Sequence, residues 1–369
     1  MAINQVQFQK GLSMLEFMER YGTEAKCHGA LVASRWPKGF RCPCCDDEQH
    51  STFIREERQY WQCHRCRHQI TATAGTIFEA TKLPLMRWFL AMHLMTQAKN
   101  NVSALELKRH RGVRYKAAWL MKDKLLQVMA EREDSRVLDG RIEVDDAYLG
   151  GARSGKRGRG SENKVSFLVA VQTADDGRPM LARLNRIKFT KDAIDGWANK
   201  ALAASARVVS DGLKGFEGFR NNVADFQPTI VGSGRQAVVA HPQFSRVNTV
   251  ISNLKTAISG TYHHFKFAKY ADRSLAEVQY RFNRRFDLTS ILVRLVRAAV
   301  LTRPRPEPMI RLAEVGGLIK KPFSVAEPLA RVEALFRCLD AFAPGSKAQS
   351  ATPNARSPRA FSIIMNRSV

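Results

Sequence analysis

Two Cys-x-x-Cys pairs, Cys42/Cys45 and Cys63/Cys66, constrain this chain more than any other feature. Each pair sets two thiols on one side of a tight turn. The spacer between the pairs is hairpin-sized and includes a β-like run ending in Tyr60-Trp61. Two such turns complete a tetrahedron, which is the spacing of a zinc ribbon. Structural zinc of this kind contributes roughly 10–16 kcal/mol to folding a module too small for a core of its own. Six of the seven cysteines precede residue 67. That concentration indicates a local metal site in a reducing compartment rather than a disulfide framework. Cys27 and Cys44 are then spare thiols, with His28, His64 and His68 as substitute ligands.

The knuckles sit among Arg35, Lys38, Arg41, Arg55, Arg58, Arg65 and Arg67, and the whole chain shares this bias. Against 34 Asp and Glu stand 59 Lys and Arg, a formal charge of +25 and a pI near 10.2. Such an excess points to a polyanionic partner, and nucleic acid fits better than a membrane surface. The apolar run 291–301 is interrupted by Arg294 and Arg297 and is too short to cross a bilayer. No charged segment followed by an apolar one marks the N-terminus for secretion, so a cytoplasmic location is expected.

The 369 residues allow two or three domains. Residues 1–26 read as one short amphipathic helix, with Phe8, Leu12, Leu15, Phe17 and Tyr21 at helical spacing. The ribbon occupies 27–80, and Pro84 stands near the start of an apolar helix over 86–95. Ser103 and Glu106 form a capping box, Gly112 makes a turn, and 114–128 is a second helix burying Ala118, Met121 and Leu125. Over 81–135 this is a helix-turn-helix pattern, with Arg114, Tyr115 and Lys116 at the start of the helix that would enter a groove. A helical hairpin with no DNA role gives the same pattern; the charge and the ribbon favour DNA.

A polar stretch, 131–140, separates this module from a third spanning 140–300. The strand 141–149 carries Glu143 and Asp145 on one face and Asp146 on the other. The Gly- and Ser-rich loop 150–164 follows, with Arg153, Lys156, Arg157 and Arg159 suited to a phosphate backbone. Strands at 165–173 and 179–185, a helix at 191–206 and a strand at 207–210 lead to Asp211. A fifth strand is expected at 229–232, and a helix beginning near Asn248 carries Lys255 seven residues on, on the same face. Three antiparallel strands, a helix and a further strand beside the first make a ribonuclease-H-like arrangement, with Asp145 and Asp211 on neighbouring strands, close enough to share a metal ion. The fold class is therefore α+β multidomain: zinc ribbon, helix-turn-helix module and ribonuclease-H-like α/β domain. The segment 301–369 reads as a partly disordered tail, with one more apolar helix near 332–342 and Cys338 buried or incidental.

Several stretches resemble the insertion-sequence transposases that join a zinc ribbon and helix-turn-helix to an acidic-triad catalytic domain. They are Trp36-Pro37-Lys38-Gly39-Phe40-Arg41-Cys42-Pro43, Thr73-Ala74-Gly75-Thr76-Ile77-Phe78, Glu143-Val144-Asp145-Asp146 with Leu149-Gly150-Gly151, Ser210-Asp211-Gly212, Gly260-Thr261-Tyr262-His263-His264, and Tyr280-Arg281-Phe282-Asn283-Arg284-Arg285-Phe286. The resemblance implies Asp145 and Asp211 as the first two catalytic ligands. The third is commonly Glu, yet no acid lies between Phe226 and Asp272. The family's spacing to its lysine selects Asn248 before Lys255, an Asp-Asp-Asn-Lys set. Asn253 is the alternative ligand, and Glu277 could supply the missing charge. The resemblance further implies Mg²⁺ or Mn²⁺ at the acids, terminal inverted repeats and target DNA as partners, a homo-oligomer on DNA, and a place in the bacterial nucleoid. A DNA-binding protein that has lost catalysis is the competing reading, supported by the missing carboxylate. A ribonuclease H or resolvase is disfavoured, since neither commonly needs the N-terminal modules.

Overall fold

The computed structural model describes residues 9–150, 164–229, 244–262 and 267–312. All fall in the first of the chain's two compact units, Met1–Leu318.

The N-terminal segment forms two helices where one was expected. Ser13 and Glu16 close a capping box that starts α1 (Met14–Tyr21), which ends at Gly22. Thr23 accepts a hydrogen bond from the Lys26 N–H and starts α2 (Glu24–Arg35). An antiparallel three-stranded sheet follows, β1 (His50–Arg55), β2 (Arg58–Cys63) and β3 (Gln69–Thr71), with β2 in the middle. Three helices come next: α3 (Leu85–Gln97), with Pro84 at its N-cap position, α4 (Ala104–Arg111) and α5 (Tyr115–Asp134). The expected capping box of Ser103 and Glu106 starts α4, and Gly112 ends it in the left-handed conformation, φ 58°. The helix α5 runs past Val128, so the first residues of the expected polar separator are its last turn.

The second sheet has five strands: β4 (Arg141–Leu149), β5 (Val165–Thr173), β6 (Pro179–Arg186), β7 (Arg207–Asp211) and β8 (Asp225–Thr229). Their order is β6-β5-β4-β7-β8. The pairs β4/β5 and β5/β6 are antiparallel, whereas β7 runs parallel to β4 and β8 parallel to β7. The fifth strand ends where it was expected to begin, and residues 230–232 lie outside the described residues. Between β6 and β7 comes α6 (Lys191–Ala201), shorter than expected because Leu202 is already extended. A 3₁₀ turn over Lys214–Phe219 follows β7. The last helices are α7 (Ser245–Ser259), α8 (Phe267–Phe282), α9 (Ile291–Leu301) and α10 (Glu307–Leu312). Residues 313–369, including the expected helix at 332–342 and Cys338, lie outside the described residues.

Alternation along the central strands gives each face of this sheet its own core. Phe167, Val169 and Val171 of β5 pack with Val209 and with Val247, Leu254 and Leu275 of α7 and α8. Leu168 and Ala170 point the other way, with Ile142, Val144 and Val208, towards Ile194, Ala198, Phe216 and Phe219. A third core unites α1 to α5 and the ribbon around Phe17, Leu31, Trp61, Phe89 and Leu125, and Ile291 and Leu295 of α9 complete it.

The helices α5 and α8 lie against each other, joined by two buried ion pairs, with a third from just past the end of α8. Lys122 faces Glu277 at 3.9 Å, Asp123 meets Arg273 at 2.7 Å, and Glu133 meets Arg284 at 2.5 Å. Burial raises the Glu133 carboxyl, but Arg284 and Arg136 outweigh it and hold the group below the ordinary range. Removing one member of such a pair strands a buried charge and costs about 3–5 kcal/mol. Among the described residues no helix is long and apolar enough to cross a membrane.

Candidate functional site

The ribbon's two knuckles are built alike. The Asp46 N–H donates to the Cys42 carbonyl (2.9 Å) and the Arg67 N–H to the Cys63 carbonyl (3.1 Å). Each turn closes with a non-glycine residue in the left-handed region, Asp46 at φ 60° and Arg67 at φ 61°. That conformation is unfavourable for a side chain, and it persists where the surroundings over-determine it. The result brings the four sulfurs within 4.8 Å of one another, with Cys42–Cys66 and Cys45–Cys63 both at 3.5 Å. Zinc–sulfur bonds of about 2.3 Å place tetrahedron edges near 3.8 Å, so the cluster fits zinc with little adjustment. The thiols do not behave as four equals. Burial raises Cys42, but the N–H groups of Cys45 and Cys44 outweigh it and bring that thiol down to about 7. The His68 N–H favours the thiolate of Cys66, yet desolvation and the neighbouring sulfurs push it up to about 12. Several thiolates in one place need a cation. Of the spare thiols, Cys27 is buried and donates to the Tyr21 carbonyl at 3.0 Å, while Cys44 is exposed.

The second cluster forms where the pairing of β4 with β7 stops. The last paired residues are Val144 and Ser210, so Asp145 and Asp211 follow side by side, in register and on one face. Asp145, Asp146 and Asp211 bring carboxylate oxygens within 4.8 Å of one another, all three half-buried. The Asp146 N–H donates to Asp145 Oδ1 at 2.8 Å, and the Leu213 N–H donates to Asp211 Oδ1 at 3.2 Å. The chain beyond Asp211 is held close to α6. A Cβ on Gly218 would stand 2.3 Å from the Lys191 carbonyl, so the segment has room only for glycine there.

Asp146 was placed on the opposite face of β4 by strict alternation, yet its carboxylate joins the cluster. Both residues are still paired with β5, opposite Val169 and Leu168, but they lie beyond the last pair with β7, which leaves that side of the strand open there. The Asp-Asp doublet within an apolar strand was the available signal.

Asn248 is half-buried in the first turn of α7, which lies on the Asp145 face of the sheet. Lys255 and the alternative ligand Asn253 are exposed further along the helix. Glu277 is fully buried against Lys122 and does not belong to the carboxylate cluster. Neither oxygen of Glu277 has a hydrogen bond; the Lys122 ammonium also donates to the Tyr262 hydroxyl. At the helix-turn-helix, Arg114, Tyr115 and Lys116 are exposed, and Lys116 pairs with Glu307 at 3.2 Å. From Met121 to Met129 every residue of α5 is buried. The middle of this helix is therefore closed to a groove, and the exposed Arg114, Tyr115 and Lys116 stand at its start. Arg153, Lys156, Arg157 and Arg159 lie outside the described residues.

Two known families match the chain over the regions that hold the two clusters. The profile of the ISXO2-like transposase domain matches residues 137–283, and that of the transposase zinc-ribbon domain matches residues 22–69. The chain carries an insertion-sequence transposase domain behind a transposase zinc ribbon. It is also 26% identical over 143 residues to a protein of the transposable element ISH50 of Halobacterium salinarum, across 38% of this chain and 46% of the relative. The chain thus spans about half the length of that curated relative. The matched transposase domain begins just before β4 and ends just past α8, so it takes in the three carboxylates and α7. The matched ribbon begins ahead of α2 and ends at the start of β3.

Proposed function

We propose that the chain is a DNA transposase of a bacterial insertion sequence, binding the element's terminal inverted repeats and catalysing Mg²⁺-dependent strand cleavage and strand transfer. The observation that carries this reading is the convergence of Asp145, Asp146 and Asp211 within 4.8 Å just beyond the last pair of two parallel strands. The sheet order β6-β5-β4-β7-β8, three antiparallel strands continued by two parallel ones, supports a ribonuclease-H-like assignment for the domain.

The fit of a divalent cation rests on donor chemistry. Hard oxygen donors at this separation suit Mg²⁺ or Mn²⁺, with Asp145 and Asp211 as the principal ligands and Asn248 adding a neutral amide oxygen. Asp145 and Asp211, with Asn248, would hold the cations, and bound there these would supply the Lewis acidity for hydrolysis of the phosphodiester and for attack of the freed 3′ hydroxyl on target DNA. Asp146 adds the negative charge that Asn248 lacks. Lys255, two turns along α7, holds a phosphate of the bound strand. Arg114, Tyr115 and Lys116, with Arg153, Lys156, Arg157 and Arg159, contact the DNA, and the charge of +25 draws it in. The protein works as a homo-oligomer on DNA in the bacterial nucleoid.

The test is cleavage and strand transfer by the full chain on duplexes carrying the element's ends, in Mg²⁺ and in Mn²⁺. Asp145→Ala is expected to lower the rate by about 10³-fold or more, since several kcal/mol of metal assistance are lost. If wild-type protein and Asp145→Ala bind the ends equally and are equally inert, the chain is a DNA-binding protein without catalysis.

A further inference from the structure

We propose that Glu143 is a positioning residue of the carboxylate site: it fixes the first turn of α7, which carries Asn248, against the strand that carries Asp145. The proposal rests on the reading of Asp145 and Asn248 as metal ligands and adds a residue that touches neither metal nor DNA.

Glu143 is 2% exposed, which is unusual for a carboxylate. Its burial is compensated on both oxygens. Oε2 accepts the backbone N–H groups of Arg246 and Val247, each at 3.0 Å, and Oε1 meets Arg141 Nη1 at 2.8 Å. The two N–H groups belong to the first turn of α7, where four such donors lack partners inside the helix. Helices ordinarily satisfy them with Ser, Thr, Asp or Asn at the N-cap position. Here that position is Phe244, which makes no side-chain cap bond. The cap comes from a strand distant in sequence, and its negative charge also suits the positive end of the helix dipole. A second tie holds the same turn, Arg246 Nε donating to the Gly177 carbonyl at 2.8 Å in the β5–β6 turn.

The geometry follows from position. On β4, Glu143 and Asp145 share a face, about 6.7 Å apart along the strand. On α7, Asn248 directly follows Val247, whose N–H Glu143 holds. One side chain therefore spans the two elements that must be in register for Asp145 and Asn248 to meet a common cation. Metal ligands tolerate displacements of only about 0.2 Å. Asn248 brings no charge, so its contribution depends on placement more than a carboxylate's would.

The test uses the zinc-loaded full chain and reads Mn²⁺ binding directly, by the electron paramagnetic resonance signal of free Mn²⁺. Glu143→Gln is expected to weaken binding about tenfold, the usual size for a residue that orients a metal ligand. Asn248→Ala should weaken it comparably. In the Asn248→Ala background, Glu143→Gln should then add less than about twofold, because the ligand it positions is gone. Equal factors in both backgrounds, or no effect of Glu143→Gln alone, overturn the inference. Should Glu143→Gln not fold, Glu143→Asp, which keeps the charge with a shorter reach, is carried through the same cycle with the same criterion. The two readings separate cleanly. Wild-type binding that is lost in Asp145→Ala but insensitive to Glu143 sinks only the positioning role. No binding by wild type, unchanged in Asp145→Ala, sinks the metal-site reading and the inference with it.

Discussion

The thiolate and carboxylate clusters are both ligand sets of matched chemistry, but they are assembled in opposite ways. The ribbon's sulfurs come from two similar knuckles no more than 24 positions apart, and their surroundings, Phe40, Trp61 and Ile70, form a modest part of a shared core. The carboxylates come from strands separated by the whole of β5, β6 and α6, and each face of the sheet carrying them has its own apolar layer. The first cluster therefore organises its own module when it binds a cation. The second is organised by a sheet that stands without one. The same act, removing a ligand, should cost the fold at one site and only function at the other.

The largest effect is expected at the ribbon. Cys63 is buried and sits at the end of β2, so Cys63→Ser should release the zinc and with it most of the roughly 10–16 kcal/mol that couples binding to local folding. Zinc content by atomic absorption should fall, and limited proteolysis should cut within residues 36–72 while the five-stranded domain stays intact. A ribbon that remains protease-resistant without zinc would erase the contrast between the clusters, because its core would then suffice.

A smaller effect is expected at the acids. Mg²⁺ at about 100 times its dissociation constant stabilises a folded state by about 2.7 kcal/mol. Wild-type protein should therefore melt several degrees higher in saturating Mg²⁺ than in a Mg²⁺-free buffer. The double variant Asp145→Asn, Asp211→Asn should melt as a folded protein with no Mg²⁺-dependent shift. An unfolded double variant would place the carboxylates in the fold itself.

The same contrast explains what could be read from the sequence. The clustering of the four ribbon cysteines was legible because a local spacing specifies it. The Ser103–Glu106 box and the Gly112 turn were legible for the same reason. Of the acid site, the neighbouring strands and the pairing of Asp145 with Asp211 followed from element order, whereas the convergence of Asp146 did not, since it depends on where β7 stops pairing with β4. Charged residues misled most often. Glu133 lay in a stretch taken for a polar separator but is buried with Arg284, and Glu277 was offered as a spare charge for the acids but faces Lys122. A charge in a helical pattern looks like a solvated face until its partner, far along the chain, is known. Glu143 was seen as a strand acid, and nothing local showed that it caps α7.

The smallest effect tests the one ligand position where the two clusters differ in kind. All four ribbon ligands can carry charge, whereas Asn248 offers only an amide oxygen. Asn248→Asp changes little in volume and leaves the backbone donors of the first turn of α7 with Glu143. A fourth carboxylate should attract Mg²⁺ more strongly, by about 1–2 kcal/mol for one added charge at an effective dielectric between that of the surface and that of bulk water. The Mg²⁺ concentration for half-maximal cleavage should fall about tenfold. The acid also placed at the positive end of α7 should be tolerated by the fold. If half-saturation does not move while Asp145→Ala abolishes cleavage, Asn248 lies outside the cation's shell. Asp146, already within 4.8 Å of both other acids, would then be the third ligand.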